Sequence, residues 1–254
     1  MIPKILHFMW VGGEMPLDYR ENVRAWQSEN PGWRVMLWVD DNIPGLIGEN
    51  YPGFLEVYEK LDMPIKKADL ARLLVSHHYG GLYLDCDLVP VMGVPGKSRL
   101  GALLSSGVIY NRGLKEGSPL PEVPSQDKID LTQKELVLSR EHCHIDRMGH
   151  GIANGMILAR PGARILMEFV ERQKHAHRGL VLDYVGTWAL TRFLRMKMEE
   201  EGDRLRKEMT VLPPHYFLWE DEAMRCDPPD YAVSKHPWGK SDWGDHSKQK
   251  WWKI

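Results

Sequence analysis

Two short apolar runs separated by one helical segment constrain this chain more than any other feature in it. Ile2 to Val11 is apolar, with β-branched and aromatic content, and stops at Gly12-Gly13, the pattern of a buried strand ending in a sharp turn. Residues 16 to 29 carry Leu17, Val23 and Trp26 and end at Asn30-Pro31-Gly32, which reads as a helix followed by strong turn signals. Trp33 to Val39 then reads as a second strand. Strand, helix and strand within about forty residues form a βαβ unit, for which a right-handed crossover and a parallel sheet are the default. Ligands of such sheets bind beyond the C-terminal ends of the strands. Trp10, Gly12, Gly13 and Asp40-Asp41 therefore fall on the ligand-facing rim, although Asp40-Asp41 equally suits a helix cap.

Further along, Pro64 opens a helix whose apolar-stripe positions Ala68, Ala71, Leu74, Val75 and His78 follow the 3.6-residue period, and Gly80-Gly81 closes it. A strand from Leu82 follows at once. Residues 111 to 148 are polar and Pro-rich with little periodicity, which predicts an excursion from the sheet or a lid on the acceptor side. Order resumes with a strand over Ile152 to Ala159, a helix burying Ile165, Leu166, Phe169 and Val170, and a second helix over Thr187 to Met198. The last forty or so residues, rich in Trp, Pro and His, read as irregular structure packed on the rest. With no repeat and no linker, the expectation is a single α/β domain over 1–254 with a Rossmann-type, mostly parallel central sheet flanked by helices. Residues 1–110 would be its ligand-binding half, 111–150 a variable loop or lid, and 151–254 the acceptor side with a closing segment.

The chemistry concentrates at Leu82-Tyr83-Leu84-Asp85-Cys86-Asp87. Side chains alternate along a strand, so Leu82, Leu84 and Cys86 face one way and Tyr83, Asp85 and Asp87 the other. Two carboxylates on one spot repel each other unless a cation joins them, and an open set of hard oxygen donors suits Mg²⁺ or Mn²⁺ shared with phosphate oxygens. Asp69 and Arg72, three apart on the preceding helix, share one face. They read either as a surface ion pair or as groups that bind sugar hydroxyls and phosphates. Two other readings of the acidic pair stay open. Asp85-Cys86-Asp87-Leu88-Val89 has the spacing of an aspartate-nucleophile phosphatase with Asp85 as nucleophile, but Gly202-Asp203 lies in a charged helical stretch where that chemistry needs a second acidic pair after a strand. The pair also suits a calcium-dependent carbohydrate-binding surface without catalysis.

Composition narrows the partners. A net charge of -2 with no basic run gives no footprint for nucleic acid. Cys86, Cys143 and Cys226 lie far apart with no CxxC pair, which argues against a disulfide framework and a thiolate zinc site. His142, Cys143, His144 and His150 repeat no metal-ligand spacing. The start Met1-Ile2-Pro3-Lys4-Ile5 has no signal-peptide pattern, and no apolar run approaches the ~18 residues of a membrane span, so a cytoplasmic location is expected. The tail Lys248-Gln249-Lys250-Trp251-Trp252-Lys253-Ile254 mixes cations with indoles, a composition that also allows peripheral contact with the inner face of a membrane.

Taken in order, Ile2 through Gly13, Trp26, Asn30-Pro31, Leu37-Trp38-Val39-Asp40, Ala68-Asp69-Leu70-Ala71-Arg72 and Tyr79 through Asp87 resemble the glycosyltransferases whose sugar-binding region contains a DXD motif. That group includes yeast initiating α-1,6-mannosyltransferases and bacterial capsule enzymes, and the first and last segments also look like the catalytic domains of clostridial glucosylating toxins. The resemblance implies a GT-A fold, Mn²⁺ or Mg²⁺, and a nucleoside-diphosphate sugar donor, a UDP-sugar favoured over GDP-mannose. It further implies transfer to a glycan or glycolipid acceptor with retention of configuration. By the same resemblance, Trp10 with Val11 and Gly12 would hold the base, and Asp69 and Arg72 the donor sugar and phosphates. Asp85 would lie near ribose and sugar, Asp87 would bind the metal directly, and Asn154 would lie near the reacting sugar. His236, as a further metal ligand, and Trp238 and Trp243 would belong to a C-terminal segment that closes over the diphosphate. Weaker echoes run through Asn154-Gly155-Met156-Ile157 and His236 to Trp243. The chain departs from many relatives at Gly186-Thr187-Trp188, where a Gly-Pro is common.

Overall fold

A computed structural model describes residues 1–92, 98–106, 130–141, 151–174, 184–218 and 232–235. Its opening elements follow the apolar runs: β1 (Ile5–Trp10), α1 (Leu17–Glu29) and β2 (Arg34–Val39), with β1 and β2 parallel and Trp10 opposite Val39. Two helices come next, α2 (Ile43–Asn50) and α3 (Pro52–Lys60), each opened by a proline in its first turn. Then come α4 (Pro64–Tyr79) and β3 (Gly81–Leu84). A two-residue strand β4 (Val89–Pro90), α5 (Arg99–Ser106), β5 (Leu136–Arg140), β6 (Ile152–Ala159) and α6 (Arg164–Gln173) follow. The described chain ends with α7 (Thr187–Glu201), α8 (Asp203–Glu208), β7 (Met209–Leu212) and β8 (Ser234–Lys235).

Six of these strands form one sheet in the order β2-β1-β3-β6-β5-β7, while β4 and β8 make a separate antiparallel ribbon. Within the large sheet β1 pairs parallel with β2 and β3, and β5 pairs parallel with β7; β6 runs against both β3 and β5. The sheet is therefore mostly parallel with one reversed strand. That reversal carries the start of β6 to the same rim as the ends of β1, β2, β3 and β5.

Alternation along the strands sorts the core into two layers. Leu6, Phe8, Leu82, Leu84, Met156 and Leu158 pack on one face with Trp26 of α1, while Met9, Tyr83, Ile157 and Leu138 pack on the other against α2, α3, α4, α6 and α7. Cys86 and Leu88 stay in the first layer, so the alternation read through Asp87 holds even though β3 itself stops at Leu84. Asp85 to Leu88 is a turn closed by the Leu88 N–H donating to the Asp85 carbonyl at 3.1 Å.

The reading of residues 111 to 148 as an excursion is corrected at its C-terminal end. Leu136–Arg140 is a fully buried strand between β6 and β7. Only Leu136, Val137 and Leu138 are apolar there, with charges on both sides, and three residues are too few for a period to show. The two helices between β2 and α4 also went unread, because Ile43–Asn50 and Pro52–Lys60 are short and each contains glycine.

The passage from α4 into β3 depends on two glycines. Gly80 and Gly81 have φ of 62° and 89°, and a Cβ on Gly81 would lie 2.6 Å from the Ile5 carbonyl oxygen of β1. His7 of β1 locks the same turn: its Nδ1 accepts from the Trp38 indole at 3.0 Å, which leaves Nε2–H to donate to the Gly80 carbonyl at 2.8 Å. Burial lowers the His7 pKa to about 4, so the ring is neutral at physiological pH. Gly81→Ala combines a disfavoured φ with a backbone clash and is expected to destabilise the fold by about 2–4 kcal/mol in denaturant unfolding, in the range of other strained-backbone substitutions.

Candidate active site

Five elements converge on one cleft at the rim. The end of β1 supplies Met9 and Trp10, α1 supplies Tyr19, α4 supplies Ile65, Ala68, Asp69 and Arg72, and the end of β3 with its turn supplies Tyr83, Asp85 and Asp87. Asn154 closes the cleft from the start of β6. The α4 residues fall at i, i+3, i+4 and i+7, one stripe of the helix.

Arg72 is the centre. Its side chain is 3% exposed; one terminal nitrogen meets Asp69 Oδ1 at 3.0 Å, and the other meets Asp85 Oδ1 at 3.1 Å and the Asn154 carbonyl at 3.1 Å. The guanidinium carbon lies 5.1 Å from the centroid of the Tyr83 ring, and the Tyr83 hydroxyl donates to Asp85 Oδ1 at 2.7 Å. The Asn154 amide donates to Asp69 Oδ1 at 2.8 Å. The Asp85 N–H donates to the Gly155 carbonyl at 2.8 Å, and a Cβ on Gly155 would lie 2.7 Å from Asp85 Oδ2. Gly155 thus lets the carboxylate lie against the β6 backbone.

These contacts remove the surface ion-pair reading of Asp69 and Arg72. Both side chains are buried, at 4% and 3% exposure, so the pair is not a surface ion pair. Burial raises the Asp69 pKa to about 6, opposed by Arg72 and assisted by the nearby Asp85. Arg72 does not fully offset the burial because its charge is divided among carboxylates. Its own pKa moves up: burial works against the cation, but Asp85, Tyr83, Asp69 and Asp87 outweigh it. Counted formally, three carboxyl groups face one guanidinium, an excess of two acidic groups around the cleft.

Asp87 lines the cleft with its neighbours already committed, since Asp85 is held by Arg72 and Tyr83. One hard, anionic oxygen donor on a short turn, a second carboxylate beside it and an excess of acidic groups fit a divalent cation that takes its remaining ligands from phosphate. Among the described residues no cluster of three or more His, Cys, Asp or Glu encloses a metal by itself.

The β1 end of the cleft is less uniform. Trp10 is half-buried, and its ring packs on Tyr19 with centroids 5.1 Å apart and planes tilted by 38°. The Val11 side chain is core, so only its backbone can face a ligand. Gly12 lies outside the cleft lining. His236, Trp238 and Trp243 lie outside the described residues, as do His142, Cys143, His144, His150 and the Trp-rich tail. Tyr83, Gly155 and Tyr19 were not singled out in the sequence. Tyr83 was legible, because strand alternation puts it on the same side as Asp85.

With this geometry in place, the comparisons are decisive about the region. Residues 16–101 match the model of the family described as "Glycosyltransferase sugar-binding region containing DXD motif". Over those residues the chain is similar to this family's sugar-binding region. Inositol phosphoceramide mannosyltransferase 1 of Schizosaccharomyces pombe is 33% identical over 90 residues, 34% of this chain and 28% of that protein. Mannosyl phosphorylinositol ceramide synthase SUR1 of Saccharomyces cerevisiae is 34% identical over 87 residues, 34% of this chain and 23% of that protein. The aligned stretch thus spans about a quarter of these curated relatives. Among solved structures, the PaToxG glycosyltransferase superposes with a TM-score of 0.53 at 15% identity, over 80% of this chain and 72% of that one. The fold is accordingly that of GT-A glycosyltransferases, as the resemblance implied.

The raised Asp69 pKa has a measurable consequence. Between its unfolded value near 4 and its folded value of about 6, the unfolded chain gives up the proton first, so this group's contribution to stability falls as pH rises through that window. Relative to Asp69→Asn, the wild type is expected to lose stability, on the order of 2–3 kcal/mol, between about pH 4 and 6 in urea titrations. A constant difference across that range would remove the assignment.

Proposed function

We propose that the protein is a metal-dependent glycosyltransferase that moves a hexose from a nucleoside-diphosphate sugar to a hydroxyl of a glycan or lipid-linked acceptor, with retention of configuration. One observation carries the reading: the buried Asp69–Arg72–Asp85 network and Asp87 line one cleft at the rim where α/β sheets bind ligands. In this reading residues 1–110 form the donor half of a single domain, and His236, Trp238 and Trp243, outside the described residues, contribute to the same donor site.

Each residue has a task in that scheme. Asp69, oriented by Asn154 and Arg72, accepts hydrogen bonds from the hydroxyls of the donor sugar. Arg72 holds Asp69 and Asp85 at fixed positions and lowers the repulsion that would otherwise spread them. Asp87, with Asp85 and His236, holds the cation, Mn²⁺ or Mg²⁺, which when bound neutralises the charge developing on the diphosphate leaving group. Trp10, backed by Tyr19, offers an aromatic face to the base, with the Val11 backbone and Gly12 beside it.

The sugar and acceptor follow from the relatives' names. Both are mannosyl-transferring by name, so mannose is the first sugar to test, and GDP-mannose stands beside the UDP-sugar favoured from the sequence. The names also include a phosphoinositol ceramide, which makes a lipid with a phosphoinositol headgroup the first acceptor to test. No helix among the described residues is long and apolar enough to cross a membrane.

The phosphatase reading requires Asp85 to be a free nucleophile. Arg72 and the Tyr83 hydroxyl both bond Asp85 Oδ1, which stabilises the carboxylate and weakens it as a nucleophile, and this argues against that reading. Asp87→Asn is expected to lower both sugar transfer and donor hydrolysis by at least about 100-fold while the unfolding midpoint stays close to that of the wild type. A variant that remains fully active and indifferent to EDTA would sink the proposal.

A further inference from the structure

The Gly12-Gly13 turn after β1 has the form of a phosphate-binding loop, but the protein fills it with its own carboxylate. Gly12 and Gly13 have φ of 97° and 115°, and their consecutive N–H groups both donate to Asp40 Oδ2, at 2.8 and 3.4 Å. Paired backbone donors of this kind ordinarily cradle an external anion. Asp40 follows β2 directly, so the contact ties the rim ends of two neighbouring parallel strands.

Asp40 is itself held in place. Asn42 accepts the Val39 N–H at 2.9 Å, its amide donates to the Leu37 carbonyl at 3.0 Å, and its own N–H donates to the Val39 carbonyl at 3.1 Å. The helix-cap alternative for Asp40 is set aside, because α2 is preceded by Asn42 and has no side-chain cap. On its other side the glycine loop meets α4: a Cβ on Gly12 would lie 3.0 Å from Pro64 Cγ, in the first turn of the helix that carries Asp69 and Arg72. The chain Asp40, Gly12-Gly13, Pro64 therefore runs from the second strand, past Trp10, to the helix that lines the cleft.

We propose that Asp40 is a positioning residue for the nucleoside end of the donor: it holds the Trp10–Gly13 platform and, by occupying the paired N–H groups, leaves the diphosphate to the Asp87 side of the cleft. This rests on the nucleotide-sugar reading above. Its consequence is a separation of effects along the donor. Loss of Asp40 frees the loop and disturbs recognition of the nucleoside, while the phosphate end, built on α4 and the β3 turn, keeps its geometry.

The test measures binding of UDP, GDP and inorganic pyrophosphate, each with Mn²⁺, to the wild type and to Asp40→Ala and Asp40→Asn. Asp40→Ala is expected to weaken the preferred nucleoside diphosphate about tenfold, the scale of one charge-assisted hydrogen bond, with pyrophosphate changed less than about twofold. Asp40→Asn, which retains an acceptor oxygen, recovers most of the loss. Unchanged nucleotide binding in Asp40→Ala overturns the proposal, and so does an equal loss for pyrophosphate, which signals a merely structural role. A wild type that binds neither nucleoside diphosphate refutes the underlying nucleotide-sugar reading instead.

Discussion

A single guanidinium buried among carboxylates is the interaction on which the cleft depends. Arg72 joins a helix, a strand end and the backbone of a reversed strand through Asp69, Asp85 and the Asn154 carbonyl. Burying such a charge is unfavourable by itself, and removing one partner from a buried pair typically costs about 3–5 kcal/mol because the other charge is stranded. The arrangement therefore holds as a unit. Asp85 supports the site by being fixed, and in the proposed reaction Asp87 is the carboxylate that binds the cation.

The backbone around that unit is arranged so that the acidic turn arrives in register. Gly80 and Gly81 let α4 pass into β3 against Ile5, and His7 and Trp38 bond that turn to the neighbouring strands. Beyond Leu84 the chain leaves the ladder, with Cys86 donating to the Met9 carbonyl at 3.2 Å and the Trp26 indole donating to the Leu88 carbonyl at 2.8 Å. These contacts pin the apolar side of the turn, so its acidic side can only face the cleft. The reversed strand β6 completes the wall because antiparallel pairing puts Asn154 and Gly155 just past the end of β3.

Much of this was legible in the sequence because it rests on short-range rules. The strand-helix-strand opening, the helix from Pro64 to its glycine stop, and the alternation that separates Asp85 and Asp87 from Cys86 all follow from periods of 3.6 and 2. What was not legible was long-range. That Asp69 and Arg72 are buried depends on β6, more than eighty residues away, packing against α4. Spacing alone left the pair equally suited to solvent. β5 escaped notice because its three apolar residues are shorter than any period; Asp40 was placed on the rim, but its bonds to Gly12 and Gly13, at another strand end, could not be read from spacing.

The central claim is that this cleft binds a nucleoside diphosphate through a divalent cation, and thermal unfolding of the wild type with UDP or GDP, with and without Mn²⁺, tests it most directly. At about a hundredfold excess over the dissociation constant, binding adds roughly 2.7 kcal/mol of stability, a rise of about 5–10 °C for a chain of this size. The account predicts that rise only when nucleotide and metal are both present, and its loss on adding EDTA. Stabilisation by neither nucleotide, or equal stabilisation without metal, would contradict it.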